Sequence, residues 1–177
     1  MRARMSRVRA AIPGKERRSR SELLWRHLEG MIDLHPSALV AYEPIGGEID
    51  PRGFVDRVAA RGVPIYYPRY DDRRGEFVSS DNGILLVDAD SRVVILVPGV
   101  AFDHRGARLG RGGGWYDHVL SRHPRATRVG CAFDEQLLDR VPCDPWDVSM
   151  HQVVTDARSI AVDETAKPSG ECAYEWI

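Results

Sequence analysis

LVPGVAFDHRGARLGRGGGWYDHVL, residues Leu96–Leu120, runs from an apolar strand into a loop of glycines and arginines, then into a helix. Arg108, Gly110, Arg111 and Gly112, Gly113 and Gly114 put exposed backbone N–H groups and guanidinium forks into one small volume, a composition that binds phosphate. The following helix turns its positive dipole end back toward the loop. Asp117, in its first turn, is placed to hold a magnesium ion carried on the same phosphates. The alternatives at these positions are plain. Arg108 or Arg111 would pair with Asp103 or Asp117, Tyr116 would be core at a helix start, and Asp117 would be a first-turn carboxylate.

Working outward, residues 1–12 place Met1, Met5, Val8 and Ile12 at helical spacing, and Pro13-Gly14 breaks the run. A second helix spans 15–33. Ala38–Tyr42 reads as a strand, Pro51 opens a helix where its missing N–H costs nothing, and Val63–Tyr67 is the next strand. Gly83–Val87 and Arg92–Val97 are further strands, the second nearly all apolar and so central, covered on both faces. Trp115–Ser121 is helical, and strands follow at Arg128–Phe133 and Met150–Thr155. This alternation predicts a single α/β domain over residues 1–158, a three-layer α/β/α arrangement with a largely parallel central sheet. Its ligand is expected beyond the carboxyl ends of the strands, at a switch in strand order. Residues 159–177 lack periodicity and read as a mobile C-terminal tail.

Composition narrows the class. The chain has 177 residues with a formal net charge of −1, ordinary for one globular domain. Residues 1–26 carry eight arginines and one lysine against two glutamates. A nucleic-acid arm wants aromatics interleaved with its basic residues, and residues 1–24 hold none, so the run reads as solvated helix faces and argues against a nucleic-acid partner. Cys131, Cys143 and Cys172 show no metal spacing and are expected as free thiols. No apolar run suits a membrane span or a signal peptide, which makes a cytoplasmic protein the expectation.

The central segment resembles that of the 5-formyltetrahydrofolate cyclo-ligases, also called methenyltetrahydrofolate synthetases. The likeness is carried by Val97-Pro98-Gly99-Val100-Ala101-Phe102-Asp103, Gly106, Arg108-Leu109-Gly110 and Gly112-Gly113-Gly114-Trp115-Tyr116-Asp117, and extends unevenly over Arg2 to about Asp156. It implies an ATP- and Mg2+-dependent ligase, expected as a monomer, that closes 5-formyltetrahydrofolate to 5,10-methenyltetrahydrofolate and releases ADP and phosphate. By the same resemblance the nucleotide is held by Arg2, Arg108, Gly110, Arg111, Gly112, Gly113, Gly114, Trp115 and Tyr116. Arg108 and Tyr116 act at the transferring phosphoryl group. Glu48 meets the paired N–H donors of the pterin, Tyr42 and Phe102 wall the ring, and Asp117 takes the metal. Arg69 and Asp134 are lesser candidates, and His118 and His151 read as surface substitutions. The chain departs from the family in three places. Met1-Arg2 aligns with the family's L-R, which puts the lysine of its K-x-x-L-R before residue 1. Leu86 stands where a G-I-x-E-P glutamate is expected, and Pro51 replaces a threonine after Glu48-Ile49-Asp50. Two of these touch the substrate side, so the alternatives are a homologue using the phosphate loop on another small N-formyl or carboxylate substrate, or a non-catalytic nucleotide- or RNA-binding protein.

Overall fold

The computed structural model describes residues 1–31, 35–70, 75–85 and 92–163. Among the described residues, four helices, α1 (Arg2–Ala11), α2 (Gly14–Met31), α3 (Arg52–Ala59) and α4 (Trp115–Ser121), alternate with ten strands. The main sheet takes β1 (Ala38–Val40), β2 (Ile65–Arg69), β3 (Glu76–Val78), β4 (Val93–Pro98), β7 (Thr127–Ala132), β9 (Gln152–Thr155) and β10 (Ser159–Ala161), in the order β10-β9-β7-β4-β1-β2-β3. Its five inner strands are parallel, and the edge strands β3 and β10 are antiparallel to their neighbours. A small second sheet joins β5 (Ala101–Asp103), β6 (Arg108–Leu109) and β8 (Leu137–Leu138), with a 3-10 turn at Asp134–Gln136 before β8.

The expected layering follows from the side-chain period of two. Along β4 every residue is buried. Val94 and Leu96 pack with Leu24, Leu28, Phe54 and Val58 under α2 and α3, while Ile95 and Val97 pack with Phe77, Phe102, Val119 and Leu120 on the opposite face. A third cluster, with Met5, Val100, Ala107, Leu109 and Val141, seats α1 on the small sheet. β1 and β4 are adjacent, yet the chain leaves β1 toward β2 on one side and continues from β4 to β7 on the other. Strand order reverses there, and a crevice opens beyond the carboxyl ends of these two strands.

Some expectations need correction. Ser159–Ala161, expected within a mobile tail, pairs with β9, and the rest of that expected tail from residue 164 lies outside the described residues. Main-chain hydrogen bonds to an open sheet edge hold that strand, which is why no apolar alternation announced it. Gly83–Leu85 forms no strand beyond a single bridge from Ile84 to Val78, and Leu86 with the rest of that expected strand lies outside the described residues. Cys131 is a free thiol whose pKa burial pushes up, whereas Cys143, expected free, is disulfide-bonded. Among the described residues no helix is long and apolar enough to cross a membrane.

Of the arginine-rich start, Arg2, Arg4, Arg7, Arg18 and Arg26 are exposed, as solvated helix faces require, and Arg9, Arg17 and Arg20 are drawn into the fold. Arg17 donates to the Ile12 carbonyl at 2.7 Å, and Arg20 ties Asp156 at 2.6 Å and Glu135 at 2.5 Å. Arg9, 5% exposed, turns inward toward Glu48.

Candidate active site

A cleft of about 850 Å³ occupies the crevice at the switch in strand order. Its floor is the end of β4, and one wall is the glycine loop between β6 and α4. The β1–α3 loop supplies Glu43, Ile45 and Glu48, the start of α1 supplies Met1 and Arg2, and the segment after β8 supplies Asp144, Trp146 and Asp147. The structure therefore brings together Arg2, Glu48, Arg108, Gly110, Arg111, Gly112, Gly113, Gly114, Trp115, Tyr116 and Asp117.

Two members of the expected site are elsewhere. Tyr42, 1% exposed, packs beneath α2 and α3 and donates its hydroxyl to the Ile49 carbonyl at 2.7 Å. Phe102 is fully buried on the other face, its ring in the space left by Gly99 and Gly130, where a Cβ would come within 2.6 and 2.5 Å of it. Both are buried in the core, and neither lines the cleft. A motif aromatic beside a strand end points to either face, and only the register of β1 and β5 decides which. Arg69 pairs with Glu76, and Asp134 with Arg158 and Thr155, neither lining the cleft.

Arg108 is the deepest cation of the cleft, its side chain 6% exposed. Its Nη2 donates to Asp117 Oδ2 at 2.8 Å, the guanidinium lies 5.3 Å from the centre of the Tyr116 ring, and its buried Nε has no partner. Asp117 accepts a second hydrogen bond at Oδ1 from the Val148 N–H, 3.2 Å away. The sequence had left Asp103 or Asp117 as Arg108's partner, and the structure settles on Asp117. Asp103, fully buried, is instead saturated by the Arg105, Ala107 and Val141 N–H groups and by the Arg105 guanidinium.

Arg111 reaches across the cleft. Its Nη2 donates to the Ile45 carbonyl at 3.0 Å and to Glu48 Oε1 at 2.9 Å. Glu48, whose side chain is 7% exposed, also accepts from the Ile45 N–H and has Arg9 Nη1 at 3.5 Å, so two cations share one carboxylate. Arg2 donates from Nε to the Gly110 carbonyl at 2.9 Å, fixing α1 to the loop. Within the loop Gly112 and Gly114 have φ of +103° and +64°, a region that costs other residues strain.

Sequence reading missed four contributors. Tyr70 stacks tilted on Trp115 at 4.7 Å, and its hydroxyl lies 3.3 Å from that of Tyr116. Burial raises the Tyr116 pKa well above normal, so this phenol stays protonated near neutrality. Asp147 has its pKa raised by burial and by the charges of Asp117 and Asp144. Arg9 looked like one more solvated helix arginine, and Trp146 sits in a loop without periodicity. Only tertiary structure gathers these four.

Residues 82–156 match the 5-formyltetrahydrofolate cyclo-ligase family. Over 86% of its length the chain is 32% identical to the 5-formyltetrahydrofolate cyclo-ligase of Mycolicibacterium smegmatis, covering 90% of that protein. The chain belongs to this family. It is accordingly an enzyme of the cyclo-ligase class. The NMR structure of Aquifex aeolicus 5,10-methenyltetrahydrofolate synthetase is similar at a TM-score of 0.75 and 27% identity, over 92% of this chain and 91% of that one. A 5,10-methenyltetrahydrofolate synthetase from Mycoplasma pneumoniae shares the fold, with a TM-score of 0.76 at 23% identity over 88% and 96% of the two chains.

Proposed function

We propose that the protein converts 5-formyltetrahydrofolate to 5,10-methenyltetrahydrofolate at the expense of ATP. The observation that carries this reading is one cleft holding a phosphate-type loop with a buried guanidinium at one end and a buried carboxylate, Glu48, at the other. In the proposed reaction the formyl oxygen takes the γ-phosphoryl group, N10 attacks the activated carbon, and phosphate leaves as the ring closes. No side-chain nucleophile is required. The protein contributes positioning and charge stabilisation.

Arg108, held by Asp117 and packed over Tyr116, brings its guanidinium to the cleft wall, where phosphoryl oxygens would gather charge. The loop N–H groups and Arg111 bind the remaining phosphate oxygens. Tyr116 stays protonated and serves as a hydroxyl donor. Glu48 accepts the paired N–H donors of the pterin, with Arg9 Nη1 3.5 Å from its Oε1. The described residues contain no cluster of three or more metal-binding side chains. Magnesium on a nucleotide needs only one or two carboxylates, because phosphate oxygens and water complete its shell. Asp117 and Asp147 fit that role, since a carboxylate accepts about four hydrogen bonds and Asp117 uses two here. Once bound, the ion would neutralise phosphate charge during transfer.

Absorbance of the methenyl chromophore tests the reading with purified protein, 5-formyltetrahydrofolate and Mg-ATP. Signal that grows only with all three components is expected. Silence alongside intact nucleotide binding would move the protein to another N-formyl or carboxylate substrate. In the same assay Glu48→Gln is expected to raise KM for the folate roughly 10-fold or more, the scale of a lost charged hydrogen bond, without raising KM for Mg-ATP. Equal increases in both would remove Glu48 from the folate side.

A further inference from the structure

Of the six exposed large apolar side chains among the described residues, Met1, Ile45, Tyr70 and Trp146 line the cleft, so surface apolarity is concentrated there. Trp146 is the most exposed of them at 72%. Its backbone is nonetheless firmly held. The Asp147 N–H donates to the Asp144 carbonyl at 3.0 Å, closing a turn, and Asp147 Oδ2 accepts from the Asp144 N–H at 2.8 Å. Pro145 presets the turn's second position. The next residue, Val148, donates to Asp117, which binds Arg108. An indole is thus presented to the cleft on a rigid turn, anchored to the ion pair at the phosphate end. Such a group loses little conformational entropy on stacking.

We propose that Trp146 stacks on the base of the nucleotide. This inference rests on the proposed ATP-dependent reading of the cleft. A planar heterocycle suits the site because base–aromatic stacking needs only a π-face and no hydrogen-bond match. The base, and not the folate ring, is assigned here on placement. Trp146 adjoins Asp147 and is joined through Val148 to the Arg108–Asp117 pair, whereas Glu48 stands in the β1–α3 loop. A stack also carries little base identity, so Mg-GTP is expected to be accepted.

The test compares wild type, Trp146→Phe and Trp146→Ala as full-length proteins. Mg-ATP, Mg-tripolyphosphate and 5-formyltetrahydrofolate are each titrated by calorimetry and by tryptophan fluorescence. Trp146→Ala is expected to bind Mg-ATP about 10-fold more weakly, the scale of a lost base stack, and Trp146→Phe to recover most of it. Tripolyphosphate has no base and is expected to bind all three proteins alike. The fluorescence change on adding Mg-ATP should shrink in Trp146→Phe to what Trp115, the other tryptophan lining the cleft, contributes. Weakening confined to the folate would overturn the assignment, as would unchanged Mg-ATP affinity in Trp146→Ala, and either result leaves the cleft's ATP-dependent reading standing. A wild type that binds neither Mg-ATP nor tripolyphosphate would overturn that reading and this inference together.

Discussion

Arg108→Ala is expected to lower Mg-ATP-dependent turnover by roughly 100- to 1,000-fold, the usual cost of removing one donor aimed at developing charge in a dry site. Arg108 is the most buried of the arginines lining the cleft, and Asp117 fixes its guanidinium there. Asp117 would lose its partner at Oδ2 but keep the Val148 N–H at Oδ1. A lower melting temperature is therefore expected, with the fold retained. Arg108→Lys keeps the charge without the planar fork, and intermediate activity is expected. The decisive measurement is kcat at saturating substrates, alongside circular dichroism melts. Full activity in Arg108→Ala would exclude this residue from phosphoryl transfer and leave it a structural partner of Asp117.

Phe102→Ala is expected to cost about 3–5 kcal/mol of stability, as large aromatic truncations in cores do. For a chain of this size that is a fall of roughly 6–20 °C in melting temperature. The ring is fully buried and fills space that Gly99 and Gly130 leave open for it. The milder Phe102→Leu keeps most of the volume and allows kinetics to be read. Its KM for the folate is expected to match wild type while its melting temperature falls. A folate KM that rises with no change in melting would restore Phe102 to the substrate wall.

The glycine- and arginine-rich loop could be read from the sequence because its elements are local. Arg108 through Asp117 span few enough residues that one strand–loop–helix unit must bring them together. The central strand was equally plain, since six consecutive apolar positions from Val93 suit only a strand covered on both faces. What failed was long-range or ambiguous. Tyr42 and Phe102 belong to the family resemblance, but motif membership does not separate a residue that packs from one that binds. Arg9 stands in a run of arginines whose pattern suggests solvent, and its burial depends on Glu48 arriving from another element. Trp146 and Asp147 lie in a loop with no period, positioned by a contact to Asp117 some thirty residues earlier. The small sheet of β5, β6 and β8 escaped notice because strands of two or three residues leave no periodic signature.

Arg111 and Glu48, which the family resemblance assigns to opposite ligands, are bound to each other in the protein alone. On the proposed reading each ligand must displace one half of this pair. Whichever substrate arrives first bears the cost of parting them, and the second finds its own contact already released. Linkage then requires that each ligand tighten the other by the same factor. Arg9 remains beside Glu48 when Arg111 departs, so the carboxylate is never left with only solvent for company. Mg-ATP should consequently bind more tightly to protein saturated with folate than to free protein, and more tightly to Glu48→Gln than to wild type. Equal nucleotide affinities in all three calorimetric titrations would mean that the pair is a bystander. Otherwise two residues on facing loops make the occupancy of one half of the cleft known to the other, without any movement of the sheet beneath them.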